Sequence, residues 1–306
     1  MEILGPPLDP DAPLAVRGSD DLTTILGDLG VAIAVTTYRD GFVVLVGSID
    51  GRLVTRQRHY GHASAIATGP DGLLVAGAGV IHGPAGATPI GTDHDVHALA
   101  VDGDGVVVFC STRRSCLATP DGGGGWTVRW RPDFVTATAP EDRCHLNGFT
   151  LDETGVEAAT ALGVSDEPAG WRDRLDRGVV VGGDGRVVAD RLWLPHSPIR
   201  LGGDLWIAES GTGSVGVVSD GVYEPVAHLP GFTRGLATVG GHLVVGLSMP
   251  WRARHALPVT DRLDRDGAMC GFAVVDVGGR VLASCWVSAP RGEVLDVAAV
   301  ALDAGT

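Results

Sequence analysis

A short apolar strand, a turn rich in glycine and aspartate, and a second apolar strand recur along the chain, and this repeat restricts the fold most. Turns such as D-G-D-G and G-G-D between alternating apolar runs are typical of β-hairpins. Further hairpins follow most copies, so that one unit holds about four strands, near the roughly 40–50 residues of a propeller blade. The paired strands occur at 62–77, 97–110, 147–160, 197–210 and 234–246.

The strand that begins at Asp296 has no hairpin partner after it, whereas the N-terminal part has three strands to spare, at 31–38, 42–50 and 53–60. Together they complete one blade and leave no free sheet edge around the ring. The sequence therefore predicts an all-β, six-bladed β-propeller, closed by N-terminal strands that join the C-terminal strand. We expect an N-terminal extension over 1–21 and a single propeller domain over 22–306.

Composition excludes several classes of function. The net charge is −14 and all 23 basic residues are arginine, which rules out a Schiff-base or Walker-type lysine. The acidic balance argues against nucleic acid and anionic membrane as partners. Nothing in the sequence indicates a nucleotide cofactor or an oligomeric state.

Cysteine usage and the N-terminus bear on the compartment. Five cysteines without a C-x-x-C pair are expected to be buried thiols in a reducing environment. The N-terminus lacks a basic start and an apolar stretch, and no apolar run reaches the ~18 residues of a membrane span. We expect a cytoplasmic protein.

Aligned on their turns, the first strands of the six units share one position, which in a propeller lines the central channel. Polar side chains brought together there need partners, which a ligand or water could supply. Asn147 is the only asparagine in 306 residues, which indicates a specific task. The aligned residues are Ser64, His97, Asn147, Ser197, Arg234 and Asp296.

Four consecutive blades also bring histidines to the same end of the channel. Converging neutral imidazoles can bind Zn, Fe or Mn, and we expect a divalent metal, where one is bound, on His97, His145 and His196. Hydrogen bonding to an organic ligand explains the cluster equally well. His62 is the fourth histidine, while others such as His94 are expected at the surface or in turns.

Acidic and basic groups accompany these histidines. Asp95, Asp142 and Glu209 lie close in sequence and are candidates for bases or for residues that orient a ligand. Arg234 indicates a carboxylate or phosphate on the ligand, and the alternative is a buried ion pair with Asp296. The long loop over 249–269, with Trp251, is a candidate lid.

The segments "EDRCHLNG", "PHSP" and "PGFTRGL" are specific, and with their flanking strands they resemble an uncharacterised bacterial β-propeller family. Its members are described only as conserved hypothetical proteins with a domain of unknown function. The resemblance covers roughly residues 22–303 and implies the propeller fold. In that family the position of His62 is usually another residue, and the segment before His97 is longer. These departures leave His97, His145 and His196 as the safer set.

More distantly, Asn147 is similar to the metal-binding asparagines of six-bladed lactonases of the senescence-marker type. The axial histidines resemble those of streptogramin lyases and the four-histidine iron site of carotenoid oxygenases. These likenesses concern architecture, and a shared fold does not fix the function.

Two hypotheses follow. The first is a small-molecule enzyme of the lyase, isomerase or hydrolase class, with or without a metal, acting on an acidic or oxygenated metabolite. Asp296, Asp142 and Arg234 would be catalytic. The second is a propeller that binds a ligand or protein without catalysis, through an exposed aromatic patch that includes Trp171. In the first hypothesis the substrate would be bound by Arg234, Asn147, Ser197, Trp251 and His62.

Overall fold

The computed structural model describes residues 14–249, 263 and 267–302, and these are almost entirely β-structure. One α-helix, α1 (Leu22–Leu29), and one 3₁₀ turn, Gly170–Asp173, interrupt the strands. The strands in chain order are β1 (Val16–Gly18), β2 (Val31–Thr36), β3 (Phe42–Ile49), β4 (Arg52–His59), β5 (Ala65–Gly69), β6 (Gly72–Ala76), β7 (Val80–Gly83), β8 (Gly86–Pro89), β9 (Val96–Val101), β10 (Val107–Ser111), β11 (Cys116–Pro120), β12 (Trp126–Trp130), β13 (Leu146–Asp152), β14 (Gly155–Ala161), β15 (Gly178–Gly182), β16 (Val187–Leu192), β17 (Pro195–Leu201), β18 (Asp204–Glu209), β19 (Ser214–Ser219), β20 (Val222–His228), β21 (Phe232–Val239), β22 (His242–Ser248), β23 (Gly271–Val275), β24 (Val281–Val287) and β25 (Val297–Ala301).

The strands form six antiparallel sheets, which are the blades of a propeller. Blade 1 has the order β25-β2-β3-β4, and blades 2 to 5 are β5–β8, β9–β12, β13–β16 and β17–β20. Blade 6 is β21–β24, with β1 added to its outer edge. The inner strands β5, β9, β13, β17, β21 and β25 contact one another in sequence, and β25 contacts β5 to complete the ring. The predicted six-bladed propeller is confirmed.

Blade 1 closes the ring as expected, because its inner strand comes from the other end of the sequence. Strand β25 runs antiparallel to β2, with Val31 opposite Ala301 and Val35 opposite Val297. The predicted N-terminal strands coincide closely with β2, β3 and β4.

Burial follows the position of a strand within its blade. All six residues of β2 are buried, since an inner position packs on neighbouring blades with both faces, whereas the outer strand β4 has no fully buried residue. Valine, alanine and leucine dominate the buried clusters between blades. These β-branched and small side chains suit closely packed sheets.

Helix α1 was not predicted, because its single apolar repeat is too short to stand out from strand patterns. Leu22 and Leu26 lie one turn apart, and the helix packs on β3 and β24. It ends at Gly30, whose φ of 65° requires a left-handed conformation that glycine adopts without strain.

Three smaller expectations can be compared with the structure. The stretch 166–178, whose sequence is compatible with a short helical turn among the strands, contains the 3₁₀ turn Gly170–Asp173. All five cysteines are buried, as expected. Within the described part of the chain, no helix has the length and apolar character needed to cross a bilayer.

Candidate functional site

Polar and aromatic side chains from several blades meet where the inner strands begin. Tyr38 follows β2, His97 lies on β9, and His145 immediately precedes β13. The axial cluster, as we call this group, consists of Tyr38, His62, Asp95, His97, Asp142, His145, Trp171, His196 and Arg234.

A chain of ring contacts connects four blades. The ring centroids of Tyr38 and His62 are 4.7 Å apart, and those of Tyr38 and His97 are 6.3 Å apart. The rings of His97 and His145 pack edge to face at 5.0 Å, and His145 lies 4.3 Å from Trp171. Residues far apart in sequence therefore share one environment, and His62, His97 and His145 among them are histidines that were expected at one end of the channel.

His145 is held by a carboxylate. Its Nδ1 lies 3.0 and 3.1 Å from the two oxygens of Asp142, and Trp171 Nε1 donates to the same carboxylate at 3.0 Å. Because a carboxylate only accepts hydrogen bonds, Nδ1 carries the proton and a neutral ring has its lone pair on Nε2. Burial lowers the pKa of His145, and the favourable effect of Asp142 only partly opposes this. The ring is therefore a neutral base near pH 7.

His196 is a second neutral imidazole of the same tautomer. Its Nδ1 lies 2.8 Å from the carbonyl oxygen of Leu194, which can only accept. Ser210 Oγ, 2.8 Å from the same nitrogen, donates its own proton to Thr233 O. Burial, followed by repulsion from Arg234, holds the pKa of His196 well below its usual value.

Tyr38 and Asp95 form the other side of the cluster. Tyr38 Oη donates to Asp95 Oδ1 at 3.1 Å. Burial, with repulsion from Asp95, raises the pKa of Tyr38 well above 10, so the phenol stays protonated. Burial alone would raise the pKa of Asp95, but attraction from His97 and its hydrogen bonds hold it far below its usual value.

His97 has unsatisfied polar atoms. Its Nε2 lies 3.5 Å from Asp95 Oδ2, which is an ion-pair distance but too long for a good hydrogen bond. Neither ring nitrogen has a hydrogen-bond partner among the described residues, although both are buried. Buried polar atoms of this kind call for water or a ligand.

Arg234 is the most exceptional member of the cluster. Its guanidinium lies over the Phe232 ring at 5.9 Å, but it forms no ion pair or hydrogen bond with any residue in 14–249, 263 or 267–302. Burial lowers its pKa, while Glu293 and Tyr38 partly restore it. A partly buried guanidinium without a matched anion has donors free that suit a carboxylate or phosphate.

Part of the backbone strain of the described chain lies at the axial cluster. Four of the eleven non-glycine residues with positive φ belong to it, namely Tyr38, Asp95, Asp142 and His145, with φ values near 50°. Such conformations are costly for bulky residues, and they persist where the surrounding structure enforces them, often at functional sites. The strain supports the assignment of this cluster as the candidate site.

Comparison with protein families gives one match. The family model described as "Domain of unknown function (DUF4915)" matches residues 87–302. The chain belongs to this family. No curated protein matches the sequence of this DUF4915 member.

Solved structures show the fold that the DUF4915 chain shares. A chain of the nidogen/laminin complex has a TM-score of 0.61 at 10% identity, covering 89% of this chain and 99% of that one. A gluconolactonase from Xanthomonas campestris has a TM-score of 0.54 at 15% identity, covering 91% and 89%. A streptogramin B lyase has a TM-score of 0.45 at 17% identity, covering 72% and 67%. The expected architectural likeness to a lactonase is present, and it shows the fold alone.

Two of the aligned polar residues link neighbouring blades of the DUF4915 chain. Asn147, which is 2% exposed, donates from Nδ2 to Pro195 O at 3.0 Å and accepts at Oδ1 from Thr160 Oγ1 at 2.7 Å. Ser197 Oγ accepts from Gly235 N at 3.1 Å. The task of the only asparagine is therefore to join blade 4 to blade 5.

Asp296 connects blade 1 to blade 2. Its Oδ2 accepts from Ile66 N at 3.0 Å, and its Oδ1 accepts from Val297 N at 2.9 Å. Burial raises its pKa to about 7, because no cation compensates the charge. The ion pair that was considered between Arg234 and Asp296 does not occur.

The three histidines expected to hold a metal do not form a ligand set. In the described ranges no three His, Cys, Asp or Glu side chains are placed to bind one ion. His145 and His196 each hold Nδ1 within the protein, and the His97 and His145 rings pack edge to face. This arrangement gives no support to a metal on the three histidines, and such a metal stays a prediction.

Other expectations need correction. His94 is not at the surface: it is buried between Ser111 Oγ and Ile90 O. Trp171, expected in an exposed patch, is only 5% exposed and packs on His145. Glu209 belongs to a different hydrogen-bond network. Trp251 lies outside the described residues.

Sequence reasoning missed Tyr38 and Arg39, which lie between β2 and β3 rather than on an aligned inner strand. The guanidinium carbon of Arg39 lies 5.3 Å from the centroid of the Tyr38 ring, and the charge of Arg39 lowers the pKa of Arg234. The signal available was an aromatic and a basic residue beside a tight turn in the blade that closes the ring.

Proposed function

We propose that the axial cluster is the active site of an enzyme that transfers a proton on a small anionic metabolite. A lyase, isomerase or hydrolase reaction is the natural range for such a site. The observations that carry the proposal are the unpaired Arg234 guanidinium and an oriented, neutral His145, both of which lower the pKa of His196.

His145 is the proposed general base. Its Nε2 lone pair accepts a proton from the substrate, and the imidazolium that forms is stabilised by the Asp142 carboxylate at Nδ1. Asp142 thus acts on the reaction by fixing the tautomer of His145, in the way that a third group orients the general base in other active sites. Trp171 fixes that carboxylate in turn through its indole N–H.

Arg234 is the proposed anchor for a carboxylate or phosphate group. A guanidinium offers donors in a fork that matches these anions. Arg39, which is exposed at the same place, adds positive charge at the cluster. His62, whose buried Nδ1 has no partner among the described residues, is placed to contact the ligand beside Tyr38.

Tyr38 is the proposed donor to developing negative charge. Its raised pKa keeps the phenol proton available. In place of its present acceptor, Asp95, the Tyr38 hydroxyl can donate to a substrate oxygen. The orphan nitrogens of His97 lie next to this phenol ring. A direct role of Asp296 in proton transfer, or of Asn147, Ser197 and Trp251 in substrate binding, stays a prediction.

Hydrogen–deuterium exchange tests this proposal without knowledge of the product. The wild-type protein is incubated in D₂O with a panel of small 2-hydroxy, 2-oxo and phosphorylated carboxylic acids, and loss of substrate C–H signals is followed by ¹H NMR. We expect catalysed exchange for a subset, reduced by about 10²-fold or more in His145→Gln.

Two further variants separate binding from chemistry. Arg234→Gln should raise KM. Arg280→Gln, a change of the same kind at an exposed position, should leave both kcat and KM unaltered. If acids bind through Arg234 but no exchange or turnover depends on His145, the protein is a ligand-binding propeller instead.

A further inference from the structure

A cavity of about 490 Å³ lies on blade 5 and the adjoining edge of blade 4, and no member of the axial cluster lines it. It is an open pocket bounded by the end of β16, by the β18–β19 turn and by β20. Its polar lining includes Glu209, Thr212, Ser214, Tyr223 and His228.

Four of these side chains form a continuous hydrogen-bond chain. Thr212 Oγ1 lies 2.5 Å from Glu209 Oε2, Ser214 Oγ lies 2.8 Å from Thr212 Oγ1, and Tyr223 Oη lies 2.8 Å from Ser214 Oγ. The series runs from a buried carboxylate to a phenol that lines the cavity.

The direction of every bond in this chain can be deduced. An ionised Glu209 only accepts, so Thr212 gives it its one proton. Ser214 must then donate to Thr212, and Tyr223 must donate to Ser214. The Tyr223 proton is directed inward, which leaves lone pairs of Oη free towards the cavity.

Tyr223 keeps this proton at physiological pH. Burial, with repulsion from Glu209, raises the pKa of its phenol well above 10. The cavity therefore presents hydrogen-bond acceptors, Tyr223 Oη and the carboxylate of Glu209, to whatever enters it.

Glu209 is a buried charge without a countercharge. It is 7% exposed, and its two oxygens receive only neutral donors, Thr212 Oγ1 and Trp193 N at 2.9 Å. No cation pairs with it among the residues that the structure describes. At the rim, Asp190 and Arg191 are exposed and of opposite sign, so they leave the interior negative.

The rest of the wall is apolar or aromatic. The aromatic residues Trp193 and Tyr223 line it, together with Leu192, Val222 and Pro225. Aromatic faces attract organic cations, and an anionic acceptor pair binds an ammonium group directly.

We propose that this cavity binds an organic ammonium ion with an apolar body. The ammonium group donates to Glu209 and to Tyr223 Oη, and the apolar part contacts the Trp193 side of the cavity. The site is independent of the axial cluster and of the reaction proposed there.

The test uses three probes of nearly equal shape, benzylammonium, benzyl alcohol and benzoate, with the full-length protein. Binding is followed by ¹⁹F NMR of 5-fluorotryptophan-labelled protein, with the Trp193 signal assigned through Trp193→Phe. We expect a saturable shift of that signal with benzylammonium, at least about tenfold weaker with benzyl alcohol, and none with benzoate.

Two variants locate the charge that is responsible. Glu209→Gln should weaken benzylammonium binding about tenfold or more, while Glu224→Gln, an exposed change of the same type on β20, should not alter it. Equal affinity for benzyl alcohol, no saturable shift, or unchanged affinity in folded Glu209→Gln would overturn the proposal. If Glu209→Gln does not fold, the comparison of the three probes on the wild-type protein decides.

Discussion

His97 and His145 belong to neighbouring blades, and their rings meet edge to face with centroids 5.0 Å apart. Each ring also has a carboxylate from its own blade, Asp95 at 3.5 Å and Asp142 at 3.0 Å. A proton on one ring disfavours a proton on the other, because like charges this close repel. Two adjacent blades thus present acid–histidine pairs to each other at the axis.

The pKa of His145 should therefore be measurably low. We expect its ring signals to titrate below pH 6.5 in a ¹H–¹³C NMR titration, because burial outweighs Asp142. In Asp142→Asn the favourable charge is lost, so the midpoint should move lower still. A midpoint at or above 6.5 in the wild type would contradict the neutral-base assignment.

The same shift affects stability with a defined sign. A histidine whose folded pKa lies below its unfolded value makes the folded state less stable as pH falls through 6.5. The contribution of His145 to the free energy of unfolding is therefore fully present above pH 6.5, and it is lost as the solution becomes more acidic.

Asp296 should give the opposite pH dependence. Its pKa is raised from 3.8 to about 7, so between these values the folded state binds more protons than the unfolded state. The free energy of unfolding should fall from pH 4 to pH 7, by at most about 1.4 kcal/mol per pH unit. Urea unfolding of wild type and Asp296→Asn, measured across this range, should show a flatter profile for the variant; parallel profiles would be the contrary result.

Removal of the Arg234 charge should stabilise the ligand-free protein. A partly buried cation without a described partner is unfavourable, and a methionine of similar length avoids its desolvation. We expect Arg234→Met to gain about 1 kcal/mol in the free energy of unfolding and to abolish stabilisation by small carboxylates. The exposed Arg280→Met is the control, and marked destabilisation by Arg234→Met would show that the protein itself pairs this charge.

Asn147→Ala should destabilise the propeller by about 2–4 kcal/mol, since Pro195 O and the Thr160 hydroxyl both lose a buried partner. Thr160→Val removes only one of the two hydrogen bonds and should cost less. Urea unfolding followed by tryptophan fluorescence measures both. A neutral Asn147→Ala would mean that the two blades are held together without this amide.

The fold was accessible from the sequence because strand alternation and glycine-rich turns are local signals, and they recur in every blade. The alignment on turns also selected His97 and Arg234 as axial residues, and His145 was noted as a histidine near the same end of the channel. It did not select Tyr38, since this residue follows the second strand of blade 1 and has no counterpart in the repeat. A pattern built on inner strands does not include the loops that reach the same axis.

The role of Asn147 shows the second limit of sequence reasoning. Its rarity indicated a task, but the partner at 3.0 Å is a carbonyl on the next blade. Such distances depend on the angle and spacing between sheets, which result from packing of the whole ring. For the same reason the approach of His97 to His145 was predictable, whereas the edge-to-face orientation of their rings was not.

The pairing of β25 with β2 makes the two ends of the described chain interdependent. Of all the described strands, β25 comes last in chain order. A chain that ended before it would lack the inner strand of blade 1, which contacts the inner strands of blades 6 and 2. A truncation before Val297, or a fusion that strains this strand, would break the pairing of β25 with β2 and so remove the inner strand of blade 1. Because Asp296 directly precedes β25 and accepts a hydrogen bond from Ile66 N of blade 2, loss of the β25–β2 pairing would also break this contact between the first two blades.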